Sequence, residues 1–249
     1  MAIAALEDKI VQRAITAVLN SVYEEDFLGF SYGFRPRRSQ HDALDALAVG
    51  ITHKKVNYIL DLDIQSFFDS VSQNWLGRFL EHRIRDPRIL RLIHKWLRAG
   101  VLEDGEIKVS DTGTGQESVI SPLLANIYLH YAFDLWAERW RRHDASGDMI
   151  LVRYADDIVV GFEYENDARH FQQATRERLQ EFSLSLNPSK TRLIFSGALQ
   201  RVNGRCADLE NRRPSLFWGL RSSVDGRNRA NSCSAGSPGG TGCRRSSVN

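Results

Sequence analysis

Cysteine is scarce in this 249-residue chain: Cys206, Cys233 and Cys243 are its only three, all late in the sequence. Their spacing matches neither a zinc-ligand pattern nor a disulfide framework. That excludes a small disulfide-stapled scaffold and points to a reduced, cytoplasmic setting. Long apolar runs are missing too. None approaches the roughly 20 residues that cross a bilayer, so no membrane partner is expected. The opening Met1-Ala2-Ile3-Ala4-Ala5-Leu6-Glu7-Asp8-Lys9 meets acids too early for a secretory signal. Surplus positive charge is the third shortage. The net charge is only +2, and residues 211–249 hold seven Arg against one acid. Residues 1–210 therefore carry 26 basic and 30 acidic side chains, a net −4. Their cations cluster at Arg35–Arg38, Arg78–Arg98 and Arg139–Arg142, and each cluster also reads as an ordinary solvated face. Phosphate contacts dominate nucleic-acid affinity, so this body is expected to bind nucleic acid weakly by itself.

What is present is apolar content of 42%, enough for a sizeable core in one large or two small domains. Within it, Ile150-Leu151-Val152-Arg153-Tyr154-Ala155-Asp156-Asp157-Ile158-Val159-Val160-Gly161-Phe162 reads as two strands and a tight hairpin with adjacent carboxylates at the turn. Asp is common in turns, and a plain polar turn is the simplest account. Two anions at a buried tip, however, cost several kcal/mol without a compensating charge (about 2–7 per uncompensated polar group). A second acidic strand shifts the balance. In Asn57-Tyr58-Ile59-Leu60-Asp61-Leu62-Asp63-Ile64, period-two alternation puts Asp61 and Asp63 on one face and Leu60, Leu62 and Ile64 on the other. Carboxylates from both segments would give the oxygen-rich site Mg²⁺ prefers. Two such ions, roughly 3.5–4 Å apart, serve in-line phosphoryl chemistry.

These residues resemble the palm of a reverse transcriptase, specifically the group II intron-encoded, maturase-type family. Asp63 matches its first-strand metal-binding Asp, and Tyr154-Ala155-Asp156-Asp157 matches its hairpin box. Asp63 is preferred over Asp61 because the family carries an aromatic five positions later, where Phe68 stands. Further segments follow in family order. Gly29-Phe30-Ser31-Tyr32-Gly33-Phe34-Arg35-Pro36-Arg37-Arg38-Ser39 looks like the block that grips template and substrate. Gln116-Glu117-Ser118-Val119-Ile120-Ser121-Pro122-Leu123-Leu124-Ala125-Asn126-Ile127-Tyr128-Leu129 looks like the nucleotide-pocket block, and Leu186-Asn187-Pro188-Ser189-Lys190-Thr191 like the block whose Lys approaches the triphosphate.

The resemblance implies an α+β fold: a ferredoxin-like antiparallel sheet backed by helices, with part of the fingers. It implies helical partial fingers over 1–56, a palm over 57–200 and a degenerate tail over 201–249. The implied activity is RNA-directed DNA synthesis with two Mg²⁺ ions, an RNA template, a DNA primer, dNTP and group II intron RNA as partners, and a companion role in splicing. Asp63 and Asp156 would bridge both ions and Asp157 would bind one or stand outside. Phe68 would gate against a ribose 2′-hydroxyl or simply pack beside Phe67. Gln116 would touch nucleotide or template or be a loop-surface amide, Tyr154 would pack beside the primer end or serve as a strand aromatic, and Lys190 would assist the leaving group or be a solvated turn lysine. Arg35 would pair with phosphate through its planar fork, or hold a loop.

Helices are expected from Leu6 to Tyr23 (inward Ile10, Val11, Ala14, Ile15, Val18 and Leu19), from Ser39 as cap to Ile51, and as a pair over Trp75–Leu97 split at Asp86-Pro87. A β-rich stretch follows at Glu106–Val109. Another helix starts with Ser121 as N-cap and Pro122 as first residue and runs towards Trp140. Asn166–Phe182 is an amphipathic helix and Arg192–Ser196 a closing strand.

The family pattern breaks in places. Its pocket loop reads Pro-Gln-Gly, where this chain has Gly115-Gln116-Glu117, adding a negative side chain beside polyanionic substrates. The basic fingers segment, thumb, maturase and endonuclease regions lack counterparts, implying a piece truncated at both ends. Leu216-Phe217-Trp218-Gly219-Leu220 only faintly echoes a late family block. The Ser-, Gly- and Arg-rich residues 221–249 read as disorder or as a frameshift, since permitted codons of Asn231–Gly242 in another frame spell a basic, family-like string. Two rivals stand beside the polymerase: a catalytically silent RNA-binding remnant, and an RNA-directed RNA polymerase, against which Ala155 (in place of Gly) and Phe68 argue.

Overall fold

The alternation of acid and aliphatic residues after Asn57 builds the central strand, and the rest of the fold is arranged around it. In this computed structural model, residues 6–98, 101–103, 106–108, 112–113 and 118–195 are described. The N-terminal part holds helices α1 (Leu6–Tyr23) and α2 (Gln40–His53). Strand β1 (Tyr58–Asp63) leads into α3 (Phe67–Ser70), α4 (Gln73–Arg83) and α5 (Pro87–Arg98). Strands β2 (Val101–Glu103) and β3 (Glu106–Lys108) pair with each other, and α6 (Ser121–Leu129) follows. A π-helical turn, His130–Asp134, joins α6 to α7 (Leu135–His143). Then come β4 (Met149–Tyr154), β5 (Asp157–Phe162), α8 (Glu165–Glu181) and β6 (Arg192–Phe195).

The four-stranded sheet has the order β4-β5-β1-β6, with antiparallel neighbours. By chain order of its strands this is 2-3-1-4, with helices after the first and third, which is the ferredoxin-like arrangement. One face buries Leu60, Leu62, Leu151, Ile158, Val160 and Phe162 in the main core with α6, α7 and α8. The other face carries Ile59, Ile150, Val152 and Val159, and α2 packs on it through β4. Beyond α2 that second face carries Asp61 and Asp63.

Local chemistry explains the helix ends. Ser39 and Asp42 form a reciprocal capping box at the start of α2. The N-cap of α6 is Ile120 rather than Ser121, and it offers no side-chain bond; Ser121 is already helical and Pro122 follows inside the first turn. The expected helix to Trp140 is interrupted by the π turn, in which Asp134 is buried. The inward face of α1 also differs from its periodicity. Gln12, Leu19 and Tyr23 are buried, while Ile10, Val11 and Val18 are exposed, because α1 meets α6 along only one stripe. Gln12 earns its burial by accepting from Ser118 Oγ and the Val119 amide, each at 3.0 Å. Cys206, Cys233, Cys243 and the whole tail from 196 lie outside the described residues.

The core beside α8 centres on Phe171, which is fully buried and meets Phe133, Trp136, Trp140 and Phe162 at ring-centroid distances of 4.9–6.4 Å. Phe171→Ala is expected to destabilise the protein by about 3–5 kcal/mol. A urea titration measures this as a lower midpoint with unchanged slope.

Candidate active site

The antiparallel register sets Asp63, the last residue of β1, directly opposite Asp157, the first of β5. Facing residues on neighbouring antiparallel strands project to the same side, so two carboxylates stand together at one end of the sheet. Ala155 and Asp156 form the two-residue connection between β4 and β5. Ala155 has φ 57°, the left-handed region where Gly, Asn or Asp is usual, so the turn is held against a local cost of about 1 kcal/mol. The sequence thus spends conformational energy to aim Asp156 beside the Asp63–Asp157 pair.

Their electrostatics follow from burial and crowding. Burial, reinforced by the charges of Asp156, Asp63 and Asp61, lifts the Asp157 carboxyl to about 7, against the opposing pull of Lys190. Asp156 is raised as well, mainly by burial, with Asp63 adding to the shift. Asp61, two residues back on β1, rises to about 6 through burial and its neighbour Asp63, with Arg192 opposing.

Lys190 reaches this group through the chain after α8. The Gln65 amide donates to Ser185 O, the Asn187 amide donates to Asp63 O, and the Lys190 ammonium then sits 3.2 Å from Asp63 Oδ1. Crowded, desolvated carboxylates are the donor set a hard cation takes, so Asp63, Asp156 and Asp157 fit Mg²⁺ chemically. Among the described residues, however, no three His, Cys, Asp or Glu side chains already stand close enough to hold an ion.

The other candidates divide. Tyr154 ends β4 opposite Asp157 and is half-buried. Phe68 lies on α3, five residues past Asp63, with its ring 5.4 Å from that of Phe67; it is partly buried against the core, so gate and packing roles share one position. Arg35 is turned inward. Its Nε and Nη2 donate to Glu24, and its Nη1 donates to Leu28 O at 2.7 Å and Ser31 O at 2.8 Å. With its side chain 3% exposed, this arrangement corresponds to the loop-holding role rather than to a phosphate fork open to solvent. Gln116, with Gly115 and Glu117, lies outside the described residues.

Residues that motif reading passed over sit just behind the turn. Arg153 and Asp134, both wholly buried, form an ion pair through Nε and Nη2 at 2.7 and 2.6 Å. Asn126 and Ser31 complete the set. The available signal was an arginine inside an otherwise apolar strand, a residue type that is rarely buried unless paired.

The raised carboxyls have a consequence for stability. The folded state of Asp157 binds a proton more tightly than the unfolded chain does. Its contribution is therefore favourable at low pH and is lost as pH climbs from about 4 through about 7. In EDTA, the thermal midpoint of the wild type is expected to fall over that window, and Asp157→Asn to flatten the fall. Added Mg²⁺ is expected to raise the midpoint more at pH 8 than at pH 5.5, as differential scanning fluorimetry will show.

Comparison with known proteins agrees with this arrangement. The model for reverse transcriptase (RNA-dependent DNA polymerase) matches residues 1–221. A 91 kDa protein in a cob intron of Schizosaccharomyces pombe is 40% identical over 204 residues, covering 81% of this chain and 25% of that protein. Protein YkfC of Escherichia coli is 32% identical over 191 residues, covering 64% of this chain and 49% of YkfC. The group II intron-encoded protein LtrA of Lactococcus lactis is 37% identical over 130 residues, covering 52% of this chain and 21% of LtrA. The chain thus spans half or less of the length of these relatives. In fold it is similar to apo telomerase from Candida tropicalis, at a TM-score of 0.58 and 16% identity, over 75% of this chain and 40% of that one. Together with the acidic hairpin and the sheet order, the match across residues 1–221 means that this chain belongs to the reverse transcriptase family, in its group II intron-encoded, maturase-type branch.

Proposed function

We propose that the chain carries the polymerising centre of an RNA-directed DNA polymerase, extending a DNA primer on an RNA template with dNTP. The observation that carries this reading is the Asp63–Asp157 cross-strand pair with Asp156 at the adjoining turn. Asp63 and Asp156 would hold two Mg²⁺ ions between them, and Asp157 would bind one ion or brace the other carboxylates. Bound there, the ions supply Lewis acidity at the primer 3′-hydroxyl and neutralise charge on the departing pyrophosphate. Phe68 excludes a 2′-hydroxyl, Tyr154 packs against the primer end, and Gln116 contacts nucleotide or template. Lys190, which stands 3.2 Å from Asp63 Oδ1, would assist the departing pyrophosphate as a cation or acid. Residues 57–200 form the palm in this reading, 1–56 part of the fingers, and 201–249 a degenerate tail.

Group II intron RNA is a further partner in this reading, in keeping with the name of LtrA as a group II intron-encoded protein, and splicing a companion role. A silent RNA-binding remnant is the second reading. It is favoured by one observation, the Lys190 ammonium 3.2 Å from Asp63 Oδ1, where it competes with any other cation for that carboxylate.

Primer extension on an RNA template separates the two. Asp156→Ala is expected to lower extension by on the order of 10²-fold or more, as loss of a direct metal ligand should. Phe68→Ala is expected to relax dNTP-over-rNTP discrimination by about tenfold. Wild-type protein that extends no primer would leave the remnant reading standing.

A further inference from the structure

Strand β4, the first arm of the acidic hairpin, is an edge of the sheet. Its free side is taken by a stretch far upstream. The Arg153 amide donates to Phe30 O and the Tyr32 amide donates to Arg153 O, both at 2.8 Å, forming a parallel bridge between Ser31 and Arg153. The backbone one residue before Tyr154 is thereby gripped from outside the sheet.

Gly33 continues the contact onto the turn itself. A Cβ built there would stand 2.9 Å from Ala155 Cα and 3.0 Å from the Tyr154 carbonyl carbon, and nearer still to the Ala155 nitrogen. No L side chain fits without moving the turn, so Gly33 meets it backbone to backbone. From α6, Asn126 Nδ2 donates to Gly33 O at 2.6 Å, while its Oδ1 accepts from Arg153 Nη1 at 3.1 Å. Arg153 also donates from Nη1 to Ala155 O at 2.9 Å and from Nη2 to Ser31 Oγ at 2.7 Å. The stretch has its own lock, because the Arg35 guanidinium ties Ser31 O and Leu28 O to Glu24.

We propose that Phe30–Arg35 is a splint for the acidic hairpin, with Gly33, Arg153 and Arg35 as positioning residues that set where Asp156 and Asp157 stand relative to Asp63. The proposal rests on the polymerase reading above for its catalytic consequence. The physical need is plain. Crowded carboxylates on a two-residue turn with left-handed Ala155 repel one another, and the sheet supports β4 from one side only. Catalytic groups lose about 10²-fold in rate for a misplacement of about 1 Å, so a turn under such load needs a second support.

Gly33→Ala tests this, read beside Ser31→Ala, which removes one hydroxyl bond to Arg153 without adding bulk. Each variant is measured for thermal midpoint, for Mn²⁺ affinity by electron paramagnetic resonance, and for primer-extension kcat and KM for dNTP against Mg²⁺ concentration. In Gly33→Ala, kcat is expected to drop at least tenfold with KM for dNTP within threefold. Half-maximal Mg²⁺ and the Mn²⁺ dissociation constant are expected to rise at least threefold. Ser31→Ala should move the same quantities by less, and it decides the matter if Gly33→Ala does not fold. Folded variants with kcat within twofold and unchanged Mn²⁺ affinity would overturn the splint. Should the wild type extend no primer, the polymerase reading falls separately, and Mn²⁺ affinity still judges the splint. Weaker Mn²⁺ binding in Gly33→Ala at a site abolished by Asp156→Ala supports it; equal binding, or no Asp156-dependent site, overturns it.

Discussion

The ion pair between Arg153 and Asp134 is the constraint on which the rest of this structure turns. Both side chains are wholly withdrawn from water. Burying two charges costs several kcal/mol per ion before relaxation, a cost recovered only when geometry is good and every remaining donor is occupied. Here the guanidinium is satisfied on all sides: by Asp134, Asn126, Ser31 and the Ala155 carbonyl. Asp134 closes the π turn between α6 and α7, on the face that packs towards the sheet. Removing either partner would leave an uncompensated charge in the core, so helix pair, hairpin and upstream loop stand or fall together.

A second charge system lies on the opposite side of the hairpin, and it is the reverse of the first. Asp61, Asp63, Asp156 and Asp157 crowd without balanced partners, with Lys190 and Arg192 supplying only partial relief. The hairpin therefore separates a neutralised, rigid interior from an under-neutralised surface. The balanced ion pair stands behind the turn and the partly relieved carboxylates in front of it. Burial and mutual repulsion are what raise these carboxyls.

Much of this was legible in the sequence where the determinants are local. The alternation Leu60-Asp61-Leu62-Asp63 gave the strand and its acidic face, and Ser39 marked the start of α2 by its capping chemistry. The hairpin about Ala155-Asp156 followed from strand formers on both sides. The misses are long-range. The face of α1 that is buried depends on where α6 lies, which periodicity alone does not carry, so Ile10 and Val18 read as inward and are exposed. Ser121 looked like a cap because of its type, yet it is the first helical residue and the N-cap is Ile120, which has no capping group. For Arg35 the motif left a phosphate fork and a loop-holding role open, and its partner Glu24 sits eleven residues upstream in a turn that no short motif describes.

The order of strands in the sheet also has a temporal side. β1 is interior, yet both of its neighbours, β5 and β6, are made almost a hundred residues or more later. During synthesis the chain must carry Leu60 and Leu62 with both strand edges unpaired until those segments leave the ribosome. Such non-local pairing is slow and exposes sticky edges while it waits. The carboxylates of Asp61 and Asp63 are the only charges on that waiting strand. Charges on an unpaired strand disfavour its pairing with a neighbouring chain.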